Sequence, residues 1–496
     1  MRSSLAPTCA AFVVLCLSGC SGGSPFASGS GATTNISAPS TNTGNTTPNP
    51  GNAPTQTTAV SVVISDPAAC KSPSGPLTHV YVTIADVQAS TSADAPANDP
   101  SFVDLTPGLS AAPQQIDLMG QASSKCFLAS LGIAQQIAVG DYQQVRIILT
   151  GDTSASKVSN NACGASYANC VVRSDNSLHD LQLSAETTTG IEIPVTQIAN
   201  GSLAIDAGEQ PSIDLNFDVC SSILQTADGG YELKPVVHAG LVSTTGGSIS
   251  GMVVSSSTGT ALKGGSVIVA LEQKSAKSGI DRILMRTAAN ADGSFVLCPV
   301  PQGTYDLVAV GVDGENVAYS AGVETGIQSG QIAGEIPLVP GTRQGVLQGL
   351  MATQRTLMPA VPTAAAMQAD ALQQVGASGT TITVPLLPTQ SPYNEAMLTA
   401  NLENCPIGTD CSSYSMMLPT VAPNVVACSQ QTAQFTQQGS APGYTAESFA
   451  QIPESGGAPD CLSNNVRAAT TPGGGPLALK PGETTTAANM SYTQCR

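Results

Sequence analysis

The residues in this chain that can do chemistry are cysteines, carboxylates and three histidines, and their spacing decides what each can do. Cys20 closes an apolar run and is followed at once by uncharged sequence, "LCLSGCSGGSPFASGSG" over 15–31. Cys163 and Cys170 flank a Gly/Asn turn, and Cys405 and Cys411 flank a Gly/Asp turn, so each pair is placed to close a local disulfide loop. Asp214 and Asp218 alternate along "SIDLNFDVC", where carboxylates on one strand face can share a calcium ion. Alternate strand positions lie roughly 6.5–7 Å apart and no Gly-centred ligand loop is present, so a solvated acidic face is the expectation there. His79, His179 and His238 stand alone, and there is no C-x-x-C, so no metal site is expected. From Cys20 onward, the expected mature chain lacks G-x-S-x-G, and the sequence has no H-E-x-x-H and no P-loop. A carboxylate pair for glycoside cleavage would need binding subsites, and the 8 Phe and 10 Tyr are scattered, with no Trp. No catalytic residue and no cofactor are expected.

The run before Cys20 fits an export signal of residues 1–20. Arg2 supplies a positive charge, and apolar residues follow from Leu5 to Leu17, interrupted by Pro7 and Thr8. A bilayer-spanning helix needs about 20 apolar residues, so this stretch is too short to be one. Leu17-Ser18-Gly19-Cys20 resembles a bacterial lipobox. That resemblance implies a diacylglyceryl thioether on the Cys20 sulfur, cleavage between Gly19 and Cys20, and acylation of the new amine. Several acyl chains, each contributing roughly 0.8 kcal/mol per buried methylene, hold a protein on its membrane. Ser21, rather than Asp, follows the cysteine, which by analogy with enterobacterial lipoproteins favours the outer membrane over the inner.

Residues 21–58 contain no charged side chain, and Phe26 and Ile36 are their only large apolar ones. Such a stretch cannot bury enough apolar surface to offset its chain entropy, so it is expected to be a disordered tether spanning roughly 30–35 Å.

The whole chain is acidic, with 17 Lys and Arg against 34 Asp and Glu, a net charge of −17. Nucleic-acid binding through phosphates needs clustered cations and is excluded as an expectation. Its 14 cysteines include Cys9, Cys16 and Cys20 in the signal, leaving eleven, an odd number that cannot pair completely. An exported chain keeps disulfides. Beyond the two local loops, Cys70, Cys126, Cys220, Cys298, Cys428, Cys461 and Cys495 cannot be paired from sequence.

Strands must position these groups. "HVYVTIADVQ" (79–88) puts Val80, Val82 and Ile84 on one face, "DYQQVRIILTG" (141–151) does so with Val145, Ile147 and Leu149, and "SIDLNFDVC" (212–220) with Ile213, Leu215, Phe217 and Val219. Asp214, Asn216 and Asp218 are expected to face out. "CFLASLG" (126–132) is expected to hold the one short helix of a first region, 59–243. "VYVTIADVQ", "IDLM", "GDYQQVRIILTG", "SIDLNFDVCSSI" and "GGYELKPVVHA" occur in an order that resembles bacterial lipoproteins carrying domain of unknown function 4382. The resemblance implies an envelope β-domain and no activity; the family's usual Trp is missing here, and a Cys stands at 220.

A second region, 246–340, resembles the carboxypeptidase regulatory-like, transthyretin-type sandwich, through "GSISGMV" (247–253), the "ADGSF" hairpin and "VPQGTYDLVA". Related folds bind starch through exposed aromatics, which implies a possible glycan site, but Tyr305, Tyr319 and Phe295 are the only aromatics here and Tyr305 alternates with Leu307 as a core residue would. The third region, 341–496, opens with "GTRQGVLQGLMATQ", which echoes the start of the second and suggests another sandwich. "TTITVPLLP" (380–388), "SYSMMLP" (413–419) and "PNVVACS" (423–429) are strand-like, and "AAAMQADALQQV" (364–375) is expected to be a short helix.

The expected architecture is all-β, tandem antiparallel β-sandwich domains behind a lipidated tether. The expected role is a membrane-anchored envelope lipoprotein of structural or ligand-binding type, with a glycan or an envelope protein as partner. The alternatives are a carbohydrate-binding module of the starch-binding-like sandwich type and, further off, a cryptic carboxylate-based hydrolase.

Overall fold

The computed structural model describes residues 56–492 with breaks, chiefly 66–76, 121–125, 243–246, 355–365, 388–398, 401–408, 428–433 and 452–465. Gly19, Cys20 and Cys405 lie outside the described residues, as does the side chain of Cys411, so the lipidation site and the 405–411 loop are not seen.

The fold is nearly all β, as the alternation predicts. The first strand, Thr57–Ser65, runs parallel to Ser212–Phe217 and antiparallel to Phe127–Ala138. Val237–Val242 completes this four-stranded sheet on the far side of Ser212–Phe217. Its inner face, with Val62, Ile64, Ile213, Leu215 and Phe217, packs on Val80, Val82, Ile84, Val145 and Ile147 of the neighbouring nine-stranded sheet. Burying side chains of this size stabilises by roughly 1.5–3 kcal/mol each, which makes this core the main support of the first region.

The helix expected over 126–132 is instead the start of the strand Phe127–Ala138. Gly132 has φ +62°, a left-handed conformation that interrupts a right-handed helix, and pairing with Thr57–Ser65 decides the rest. A seven-residue helix has too few hydrogen bonds to repay nucleation and yields to such pairing. Among the described residues the region's α-helix is the single turn Val219–Ser222.

Seven strands in two sheets form the second region. Gly247–Ser255 lies between Ser294–Val300 and Ile332–Leu338, and the facing sheet contains Ser266–Lys274, Ile280–Ala288, Thr304–Val312 and Gly322–Gln328. Ile249, Val253, Phe295, Leu297, Tyr305 and Leu307 fill the space between. The "ADGSF" segment is the expected hairpin turn: the Asn290 amide donates to the Ser294 carbonyl at 2.8 Å, and Gly293 takes φ +86°.

The facing sheet does not end with the second region. Ile280–Ala288 pairs in parallel with Thr380–Thr383, and Gly322–Gln328 in parallel with Asn424–Ala427, giving eleven strands in one sheet. The expected helix over 364–375 is one of them, the strand Ala366–Val375. It is paired on one side with Gly443–Gln451 and on the other with Thr380–Thr383. Its Ala and Gln favour a helix locally, but two ladders outweigh that preference, and the small Ala369 and Ala371 fit a buried sheet face. Gly345–Gln354 pairs with Thr409–Leu418 in a separate five-stranded sheet.

Candidate functional site

The acidic strand face is not solvated. Asp214, Asn216 and Asp218 are 2%, 4% and 6% exposed, so Ser212–Phe217 is buried on both sides. Its apolar side faces the core, and its polar side faces the second region. Register places Asp214 opposite Gly240 and Asn216 opposite His238. A Cβ on Gly240 would come within 2.8 Å of Pro301 Cγ and 3.1 Å of Ala199 Cβ, so only glycine allows this approach.

This seam is polar. Arg286, on Ile280–Ala288 of the second region, donates from Nε to Asp218 Oδ2 of the first, and both side chains are buried. Asp218 is thus engaged by a guanidinium and does not share a cation with Asp214. Ser65 Oγ donates to Asp214 Oδ2 at 2.9 Å and accepts from Asn216 Nδ2 at 3.1 Å, while Asp214 Oδ1 has no partner among the described residues. Burial pushes the Asp214 carboxyl up to about 8, against a smaller lowering by the Ser65 hydrogen bond. His238 is lowered to about 4, by burial first and by Arg286, against the pull of Asp218. At neutral pH this face therefore holds a neutral acid, a neutral imidazole and one ion pair.

Farther along the seam, the Asn200 amide donates to Gln273 Oε1 at 2.5 Å and Gln273 Nε2 donates back to Asn200 Oδ1 at 2.8 Å. Beside this pair lies a cleft of about 370 Å³, whose walls include Asp141, Gln143 and Thr196 from the first region and Lys274 and Ser275 from the second. Cys126 and Cys298 form a disulfide across the seam, with Cα atoms 5.7 Å apart. Their 172-residue separation leaves no local signal in the sequence.

The strand carrying Arg286 also carries Arg282, which pairs with Glu447 and lies 3.9 Å from Asp370. Burial raises Asp370 to about 6, Glu447 adding to the rise and Arg282 opposing it. Nearby, Glu272, Asp281 and Asp306 are all raised, first by burial; Asp281 reaches about 7. The Thr383 amide donates to Glu272 Oε2 at 3.1 Å, tying this acid group to the next part of the sheet.

The other singled-out residues are spread apart. Cys163 and Cys170 form the expected local disulfide, with Cα atoms 5.6 Å apart. His79 Nδ1 lies 2.7 Å from Asp117 Oδ2 and its ring stacks on Tyr81. His179 Nε2 lies 3.0 Å from Ser177 Oγ, but that hydroxyl donates to Asp175 Oδ1 at 2.5 Å inside a turn. Its proton is committed to the carboxylate, so His179 is not set to remove it as a general base would. Among the described residues no group of three or more His, Cys, Asp or Glu is arranged to hold a metal ion. In the second region Phe295 and Tyr305 are 1% exposed and Tyr319 8%, and the Tyr305 hydroxyl donates to the Pro301 carbonyl at 2.8 Å. These rings are core, not stacking platforms for sugars.

Residues 57–235 match the domain of unknown function DUF4382, so this domain is present in the first region. No curated protein matches the chain. Among solved structures, it is similar to the Bacillus anthracis TIE protein at 10% identity, over 89% of this chain and 51% of that one, with a TM-score of 0.16. It is also similar to GBS52, a minor pilin of Streptococcus agalactiae, at 11% identity over 50% of this chain and 96% of that one, TM-score 0.15. For the shaft pilin SpaA of Lactobacillus rhamnosus GG the identity is 13%, the coverage 58% and 98%, and the TM-score 0.16. The chain spans about half the length of the first of these. Superposition this poor assigns neither fold nor role.

Proposed function

We propose that the protein is a cell-envelope lipoprotein, anchored through lipid on Cys20, whose folded part serves as a structural or ligand-binding body and not as an enzyme. The observation that carries this reading is Leu17-Ser18-Gly19-Cys20 at the end of a short apolar run, with uncharged sequence directly behind it. The buried Cys163–Cys170 disulfide supports it, because such bonds persist in oxidising compartments. The Arg286–Asp218 pair supports a structural role, since two buried charged side chains are engaged with each other across the regions. Ser21 favours the outer membrane. A glycan or an envelope protein is the partner class that goes with this role.

The test is Cys20→Ser in cells fed radiolabelled palmitate. Label in the wild type, with loss of label and accumulation of precursor in the variant, supports the reading. Normal processing and soluble release of the wild type contradict it.

A further inference from the structure

The two disulfides differ in a way that bears on the seam. Cys163 and Cys170 are 3% and 0% exposed, inside the first region. Cys126 and Cys298 are each partly exposed and join two regions whose cores are separate. Ile64, Leu215 and Phe217 belong to one core and Ile249, Val253 and Tyr305 to the other; among the described residues Ala199 is the side chain of the first region that packs into the second core. Otherwise the seam holds Pro301 over Gly240, the polar contacts of Arg286 on Asp218 and Asn200 with Gln273, and a cleft between Val195 and Ile198 on one side and Ile283 and Leu284 on the other.

We infer that Cys126–Cys298 is a redox-controlled lock on this seam, which holds the second region against the polar face of Ser212–Phe217 and releases it when a dithiol reductant opens the bond. A seam between separate cores that share one small side chain resembles a transient interface, because water can take over its hydrogen bonds when it parts. A buried ion pair adds little net stability, since the charges regain hydration on separation. The covalent bond supplies what the seam lacks: it keeps the two faces at high effective concentration. Cys126 also sits at φ +66°, a conformation that side-chain-bearing residues disfavour.

The chemistry balances through exchange. A reductant thiolate attacks one sulfur, the S–S bond breaks, and the departing thiolate takes a proton. The second thiol of the reductant resolves the mixed disulfide and leaves as a cyclic disulfide, so Cys126 and Cys298 both end as thiols. Access selects the bond: the reductant reaches the partly exposed pair and not the buried one.

The experiment uses the purified full chain, with thiols blocked at lysis, titrated with dithiothreitol. Peptide mapping reads each disulfide, and hydrogen exchange reads 237–242 and 280–288 against the core strand 304–312. The expected result is a Cys126–Cys298 peptide before reduction, opening at least ten-fold faster than Cys163–Cys170. Exchange should rise at least ten-fold at 237–242 with 304–312 unchanged. Cys126→Ser with Cys298→Ser should reproduce the reduced pattern without reductant; should that variant not fold, reduction of the folded wild type gives the same reading. Absence of the linked peptide, earlier opening of Cys163–Cys170, unchanged exchange on reduction, or loss of protection throughout each region would overturn the proposal.

Discussion

Replacing Asp214 with Asn should stabilise the first region at pH 8 and destabilise it slightly at pH 4. Asp214 is fully buried, and its folded pKa is about 8 against an ordinary 3.8. Between those values the folded chain holds a proton that the unfolded chain has released, so stability is fully present below about pH 4 and is lost as pH rises through 8. Each pH unit in that window removes about 1.4 kcal/mol, so the step from pH 5 to pH 7 costs on the order of 3 kcal/mol from this side chain alone. Asn carries no proton to lose and keeps an acceptor for Ser65 Oγ, so Asp214→Asn removes that slope. The assay is urea denaturation followed by exchange protection at 212–217, at pH 5, 6, 7 and 8, which reads this region apart from the others. The variant should show a flatter dependence on pH by one proton, and a higher midpoint than wild type at pH 8. An unchanged slope, or a lower midpoint at pH 8, would refute the assignment of a neutral buried acid. His238 works in the opposite sense: its folded pKa of about 4 lies below the ordinary 6.5, so its contribution is lost as pH falls through that window.

Arg282→Ala leaves Glu447 and Asp370 buried beside each other without their guanidinium, a loss of roughly 3–5 kcal/mol. Limited proteolysis should then cut within 366–375 or 443–451 before it cuts within 304–312; an unchanged digestion pattern would show that the pair does not hold those strands. Gly240→Val should force Pro301 away, because even a Cβ there lies 2.8 Å from its Cγ. Increased exchange at 280–288 with little change at 80–84 is the expected readout, and equal exchange in wild type and variant would contradict the close approach.

Alternation in the sequence was a sound guide to which side chains share a face. Val80, Val82 and Ile84, and Ile213, Leu215 and Phe217, lie in the core as their spacing predicts. It carried no information on what covers the opposite face, which is why Asp214 and Asp218 looked solvated while the second region in fact lies over them. The two expected helices failed for a related reason. Both windows are short and rich in Ala, Leu or Gln, and partners far along the chain, Thr57–Ser65 for one and Gly443–Gln451 for the other, made them strands. Cys163–Cys170 was legible because the two lie seven positions apart across a turn; Cys126–Cys298 was not, because its closeness exists only after both regions fold and dock. The continuation of one sheet across residue 340 was hidden too, since a strand's own pattern does not reveal whether its edge is free.

The central claim, that this body hangs from a membrane by lipid, is tested most directly by the mass of the N-terminal peptide of protein extracted from membranes. The account predicts that the mature chain begins at Cys20 and carries diacylglyceryl and acyl groups there. A mature chain that begins elsewhere, or an unmodified Cys20, would contradict it.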